Sequence, residues 1–343
     1  MPAVAVATNK GQPLSLSHAL WLTYAPNTPL TSRLPKGKSI GQLYHTYKVK
    51  KKRTVVSSGA SDGEPVSVSS GKNEQVEIIA RVGVFKTSPR VGDLAKHNIT
   101  VGQTTAQTPG KNAETGASHM AEAVADHLQA MKYGEEVEVC SDQESRADLG
   151  PGFGPKFRGV GKWLQVAAQT DQPIDSAVRT PTGQIFTGAI ATLTEEALDL
   201  LMESRFTANG ATSELFGVMS PAIKRTMNLF TRRTPTVASF DSIIRYDYGM
   251  EDKTVCRGVD FFETDWGTAE FHPSILMPTD QRAYLLDLEH CEMMPYGPGV
   301  EEEDLAKDGG GDAKVLRAMF AFHMGDPRAH IAIKCSGETA NTF

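Results

Sequence analysis

The first 53 residues, Met1 to Arg53, hold nine Lys or Arg and no Asp or Glu. The whole chain has 35 basic and 41 acidic residues, which leaves 26 and 41 after Arg53. A head of formal charge +9 is therefore joined to a body of −15. Such a head is an arm that seeks something negative. Nucleic acid is one candidate. The acidic body of another copy is a second.

The head is also built to reach outward. Residues 1–39 carry Pro2, Pro13, Pro26, Pro29 and Pro35 among many Ser and Thr, with one apolar patch at Leu20-Trp21-Leu22. Prolines at this spacing break helices and remove ladder donors, so an extended arm is expected, with Trp21 and Leu22 as its anchors on a neighbouring surface. From Gln42 to Val56, Leu43, His45, Tyr47 and Val49 alternate with Tyr44, Thr46, Lys48 and Lys50. A second alternating run spans Gln75 to Thr87, and the Ser57-Ser-Gly-Ala-Ser-Asp-Gly-Glu-Pro stretch between them is turn chemistry. The two runs predict a long hairpin. A two-stranded ribbon is marginal in water, so it needs a surface to rest on.

Further along, Ala117, Met120, Ala121, Val124, Leu128 and Met131 recur at three and four, predicting a helix over about 113–142. Thr192 with Glu195 reads as a capping box opening a helix whose apolar face is Leu193, Ala197, Leu200 and Leu201. Ser220-Pro221 opens another, with Ile223, Met227 and Phe230 inward. Strands are expected at Leu215–Met219, Ile243–Tyr248, Gly258–Glu263, Ala269–His272 and Arg282–Asp287. A charged, glycine-rich break from Glu301 to Asp312 follows, then strands at Val315–His323 and His330–Cys335. The whole is an α+β pattern.

Chemistry is sparse. Gly161-Lys162 is followed by Trp163, and Lys156 stands where a phosphate-binding loop needs its first Gly. Pro151 and Pro155 remove amides from the glycine-rich stretch, so a turn is expected there and no phosphate site. The nine histidines do not cluster, and neither a zinc-protease helix motif nor a nucleophile elbow is present. Cys140, Cys256, Cys291 and Cys335 lack the spacing of a zinc site or a disulfide framework. Glu135-Glu136 and Glu301–Asp304 read as solvated charge runs. No enzyme, cofactor or metal is expected. No apolar run reaches a membrane span, and the start is too short and weakly basic for a signal peptide.

The order of parts is the stronger signal. Ala25-Pro-Asn-Thr-Pro-Leu-Thr-Ser-Arg-Leu-Pro, Val84-Phe-Lys-Thr-Ser-Pro-Arg-Val and Met120 to Ser141 with Glu138 come first. Arg158-Gly-Val-Gly-Lys-Trp-Leu, Leu193-Thr-Glu-Glu-Ala-Leu, Tyr284-Leu-Leu-Asp and Asp326-Pro-Arg-Ala-His-Ile follow at matching intervals. Together they resemble the major capsid proteins of tailed bacteriophages, which share the Hong Kong 97 fold. The resemblance implies an N-terminal arm over 1–39 and an extended β-hairpin, the E-loop, over 40–95. It implies a peripheral domain over 96–188 with a spine helix, an axial domain over 189–304, and a return segment over 305–343 completing the peripheral domain. It further implies self-assembly into an icosahedral shell of hexamers and pentamers around double-stranded DNA, in the host cytoplasm. Portal, scaffolding or decoration proteins would be partners. The room before the spine helix suffices for arm and E-loop alone, so any scaffold would be separate or already removed. Lys48, Lys50, Lys51, Lys52 and Arg53, with Trp21 and Leu22, are the expected inter-subunit contacts. An encapsulin-like compartment of the same fold, or a DNA-binding module using the basic head, are the alternatives.

Overall fold

Three short apolar runs set the centre of the molecule: Leu215–Met219, Arg282–Leu286 and Ile331–Lys334. Continuous apolar strands of this kind are buried on both faces. A computed structural model of the chain describes residues 26–52, 74–92, 113–210, 212–230, 259–306 and 311–341, with the side chains of 113–119 and 122 outside the description.

In chain order the elements begin α1 (Pro29–Arg33), β1 (Tyr44–Lys50), β2 (Gln75–Thr87), β3 (Arg90–Val91), α2 (Ala113–Val139), α3 (Val160–Trp163) and β4 (Ile185–Phe186). They continue α4 (Glu195–Asn209), β5 (Leu215–Met219), α5 (Pro221–Met227), β6 (Phe261–Thr264), β7 (Gly267–Pro273) and β8 (Arg282–Leu286). The last are β9 (Cys291–Asp304), β10 (Asp312–Met324) and β11 (Ile331–Lys334). The strand expected at Ile243–Tyr248 lies outside the described residues.

Six strands form one sheet in the order β4-β11-β8-β5-β7-β6. Its period-two alternation divides two cores. Leu215, Met219, Ala283, Leu285, Ile331 and Ile333 face one way, onto Leu198, Leu201 and Met202 of α4 and Ile223 and Met227 of α5. Phe216, Val218, Tyr284, Leu286 and Ala332 face the other way, onto Val139, Phe157, Trp163 and Leu164. That second core also takes Leu316, Ala318, Phe320 and Phe322 from the other sheet, which runs β1-β2-β10 with β9 and β3 also on β10. Gly83 in β2 is fixed by this junction, because a Cβ there would run into the Phe157 ring.

The expected hairpin is present: β1 pairs antiparallel with β2 from Tyr44↔Arg81 to Lys50↔Gln75. Val49 is buried while Lys48 and Lys50 point to solvent, as the alternation requires. Several other expectations shift. Residues 26–40 do not stand away from the subunit. Leu30 and Leu34 are buried on α2, and Gly37 and Ile40 donate to the Met293 and Pro295 carbonyls, both at 2.9 Å. The inward seam of α2 is Met120, Val124, His127 and Met131, with Leu128 outward, because Thr87 of β2 meets the His127 ring at 2.6 Å. The cap of α4 is Thr194, accepting from the Ala197 amide at 3.2 Å. Thr192 instead closes a preceding 3₁₀ turn. The face of α4 rotates with the cap, so Leu198, Leu201, Met202 and Arg205 turn inward and Leu200 is 62% exposed.

The largest departure is β9. Pro295, Gly297, Pro298 and Gly299 argue against a strand, and Glu301–Asp304 reads as a break. In the fold all of Cys291–Asp304 lies along β10, with a register shift between Ala318 and Phe320 that absorbs the glycines and prolines. The acidic end is held by Lys314 to Glu302 and Asp304, and by Arg317 to Glu303 at 3.2 Å. The chain thus returns to the sheet of β1, β2 and β10 at Cys291, ahead of residue 305.

Candidate assembly surface

A buried carboxylate fixes the arm to the body. Glu136 lies on α2 between Met131 and Val139, and its two oxygens accept from the Leu30 amide at 3.1 Å and the Thr31 amide at 2.8 Å. These are first-turn donors of α1, which have no partner within their own helix. Burial lifts the Glu136 carboxyl above its ordinary range, and the Thr31 and Leu30 amides pull it part of the way back. Its neighbour Glu135, less deeply placed, is raised to about 7 by burial. The Glu135-Glu136 pair is therefore not a solvated charge run. Val139 and Cys140, three and four residues on and both buried, put Glu136 on the inward face, but the amides that donate to it there come from Leu30 and Thr31, far away in sequence.

Arg33 adds a second hold, donating to Glu270 of β7 at 2.8 Å with its guanidinium 5.2 Å from the Phe216 ring. The edge of β9 from Met293 to Tyr296 supplies a third, as parallel bridges to Lys36 and Ile40.

The described part of the long hairpin is gripped at several points along β1 and β2. Arg81 of β2 pairs with Asp171 at 2.7 Å, and the Ser145 hydroxyl donates to the same carboxylate at 2.6 Å. The Arg81 guanidinium holds the Asp171 carboxyl below the usual range. Tyr47 donates to the Met324 carbonyl and lies 4.0 Å, edge to face, from the His323 ring. Burial and His45 push the His323 imidazole down to about 4, so it is neutral. Arg328, braced by Asp326, donates to the Lys50 carbonyl at 3.0 Å.

The expected contact lysines divide. Lys51 pairs with Glu74 across the hairpin at 3.1 Å. Lys52 donates to the Thr207 carbonyl at 3.2 Å, in the last turn of α4 where the helix dipole favours a cation. Lys48 and Lys50 are exposed and make no ion pair with any described residue. Trp21, Leu22 and Arg53 lie outside the described residues.

One grouping has the residue types of a catalytic dyad. Cys291 Sγ lies 3.8 Å from His330 Nε2, and the Asp287 amide donates to Nδ1 at 3.0 Å. A neutral imidazole accepting at Nδ1 carries its proton at Nε2, aimed at the sulfur. Full burial holds His330 down at about 3 and pushes the Cys291 thiol up. This is a neutral pair with no thiolate and no base. Asp287 is bound to Arg205, itself fully buried, at 3.2 Å, so the cluster braces β8 against α4 and β11. Among the described residues no three His, Cys, Asp or Glu converge on a metal site, and no helix is long and apolar enough to cross a membrane.

Comparison with known proteins matches this geometry. The capsid protein of cyanophage P-SCSP1u superposes with a TM-score of 0.56 at 10% identity, over 97% of this chain and 93% of that one. A protein of Mycobacterium phage Adephagia gives 0.56 at 14% identity, over 95% of both chains. The SrpI encapsulin of Synechococcus elongatus gives 0.53 at 9% identity, over 97% of this chain and 95% of that one. No curated protein matches by sequence. The fold is thus of the Hong Kong 97 type. A family model described as SU10 major capsid protein matches residues 4–336. The chain belongs to the SU10 major capsid protein family.

Proposed function

We propose that this chain builds the closed icosahedral shell of a tailed-phage virion, as hexamers and pentamers around double-stranded DNA, assembled in the host cytoplasm. The observation that carries the reading is the extent of the family match, over residues 4–336 and so across arm, hairpin, long helix and both sheets. In this reading α2 is the spine, and the sheet that carries β9 and β10 is the peripheral domain. The helices α4 and α5 with β5 to β7 belong to the axial domain, and β1–β2 is the E-loop. A shell repeats one interface many times, so each contact is weak while the whole is stable.

The inter-subunit seam assigned to the basic head narrows to Lys48 and Lys50, since Lys51 and Lys52 have partners in their own chain. Their counter-charge is the acidic body of the next copy, where complementarity sets register and partner choice more than raw affinity. The arm's reach falls to Trp21 and Leu22 within residues 1–25, since 26–40 are held by Glu136, Arg33 and β9. Portal, scaffolding and decoration proteins would be further partners.

Electron microscopy of the purified chain tests the reading. Closed particles of uniform size are expected; a monodisperse monomer under all conditions overturns it. The likeness to an encapsulin favours one second reading, a protein-filled compartment. The contents decide: nucleic acid supports a virion, and a protein cargo without nucleic acid supports the compartment. A DNA-binding module is the remaining alternative. It requires salt-dependent duplex binding by the unassembled subunit, abolished by Lys50→Glu with Lys52→Glu.

A further inference from the structure

The glycine-rich stretch that fails as a phosphate loop is a built hairpin. Arg146 and Lys156 exchange two backbone hydrogen bonds, both 3.0 Å. At the tip the Phe153 amide donates to the Gly150 carbonyl at 2.9 Å, with Pro151 second and Gly152 third at φ +83°. That is a type II turn, which needs Gly or Asn at its third position. The Leu149 amide donates to the Phe153 carbonyl at 3.1 Å, so these two residues face each other across the turn. The Arg146 guanidinium donates to the Gly154 carbonyl through Nη2 at 2.9 Å and sits 5.5 Å from the Phe153 ring. The backbone is thus fixed in advance. Yet what it displays is apolar: Leu149 is 70% exposed and Phe153 57% exposed, with Pro151 between them also exposed. Single exposed apolar residues need no explanation, but a rigid tip that presents two side by side is the form of a docking element.

We propose that the 146–156 hairpin is a knob that docks on a second copy of this chain. The proposal rests on the shell reading above, and its place in the fold argues for the occupant. Ser145, immediately before the knob, and Arg81, at the base of the β1–β2 hairpin, both bind Asp171. Asp171 therefore ties the start of the knob to β2, and the knob lies beside the hairpin that carries the surface proposed for the seam between copies. A heterologous contact of this kind uses a knob on one copy and a different face on the next, the arrangement that closes rings.

The test uses the full chain. Leu149→Ser with Phe153→Ser alters only exposed side chains, so the subunit should melt as wild type. The protein concentration needed for shells should rise by about tenfold or more. Gly152→Val keeps both apolar side chains but cannot hold φ +83° without strain, and should impair assembly in the same way. A photoreactive benzophenone amino acid at position 153 should cross-link to a second, isotopically distinct copy in assembled particles. The proposal is overturned if the double variant forms shells at the wild-type concentration. Capture of only its own chain, or of a different protein, by the group at 153 also overturns it. If wild type itself forms no shell, the shell reading falls first and the knob with it.

Discussion

Glu136→Ala probes the joint between arm and body. The substitution removes the acceptor for the Leu30 and Thr31 amides at 3.1 and 2.8 Å. Leu30 is fully buried, so its amide cannot turn to water, whereas Thr31 is partly exposed. A buried donor left without a partner costs about 1–3 kcal/mol, and the Thr31 share falls at the low end. The sum is about 2–4 kcal/mol. At about 1.4 kcal/mol per factor of ten, amide exchange at Leu30 and Thr31 should accelerate by about 30- to 1,000-fold. Limited proteolysis should open between Pro26 and Ile40 while the sheets stay intact. Glu136→Gln retains one acceptor oxygen and places its NH₂ against the other amide, so its effect should be about half. Full protection at Leu30 and Thr31 in Glu136→Ala would falsify the assignment of Glu136 as the clamp.

Other outcomes follow from the same geometry. The Glu135 carboxyl is raised from 4.5 to about 7 in the fold, so the folded chain holds that proton more tightly than the unfolded one. Its contribution is therefore full below about pH 4.5 and is lost as pH rises through 7. Glu135→Gln should flatten that fall in a series of melting temperatures from pH 4 to 8, and an unchanged slope would refute it. Lys48→Glu with Lys50→Glu should leave subunit stability within about 0.5 kcal/mol, as for exposed unpaired residues. It should suppress particle formation measured by light scattering, while Lys51→Ala should not. Equal assembly by both variants and the wild type would remove the seam from this strand. Deleting residues 1–25 should leave the melting transition in place. Deleting 1–39, which the sequence alone presents as an extended arm outside the folded subunit, should lower it, because Leu30 and Leu34 are buried and each contributes roughly 1.5–3 kcal/mol. Equal melting of the two truncations would show that residues 26–39 are not part of the core.

Elements whose pattern needs only local physics were legible. β5, β8 and β11 are continuous apolar runs too short for a buried helix, which is how a strand buried on both faces reads. β1 alternates strictly, and Ser220-Pro221 opens α5 with Pro at its first position. What was not legible depends on partners distant in sequence. Glu136 reads as one of two solvated acids unless it is known that Leu30, 106 residues away, brings amides to it. Thr194 outcompetes Thr192 as a cap because the 3₁₀ turn that ends at Thr192 commits that residue first.

The failure at β9 has the same cause and shows how this fold divides its charge. Four successive acids would repel one another in any isolated strand, so sequence alone makes them a break. Across the ladder stand Lys314 and Arg317, opposite Asp304 and Glu301 in register. Two basic residues of the body thus partly neutralise its own acidic strand, and of the head Lys51 pairs with Glu74 while Lys52 meets the neutral Thr207 carbonyl. Pairs within the body leave its net charge unchanged, and the described head-to-body pairs, Arg33–Glu270 and Lys51–Glu74, lower the opening asymmetry of +9 against −15 only to +7 against −13. Surface pairs contribute little to stability when solvated on one subunit. Their larger effect comes where a second surface excludes water, and under the proposed shell reading Lys48 and Lys50 are the groups of the hairpin that would meet such a surface. Salt should therefore weaken assembly of the wild type far more than that of Lys48→Ala with Lys50→Ala. Equal salt sensitivity of the two would mean that the charges guiding copies together lie elsewhere on the body.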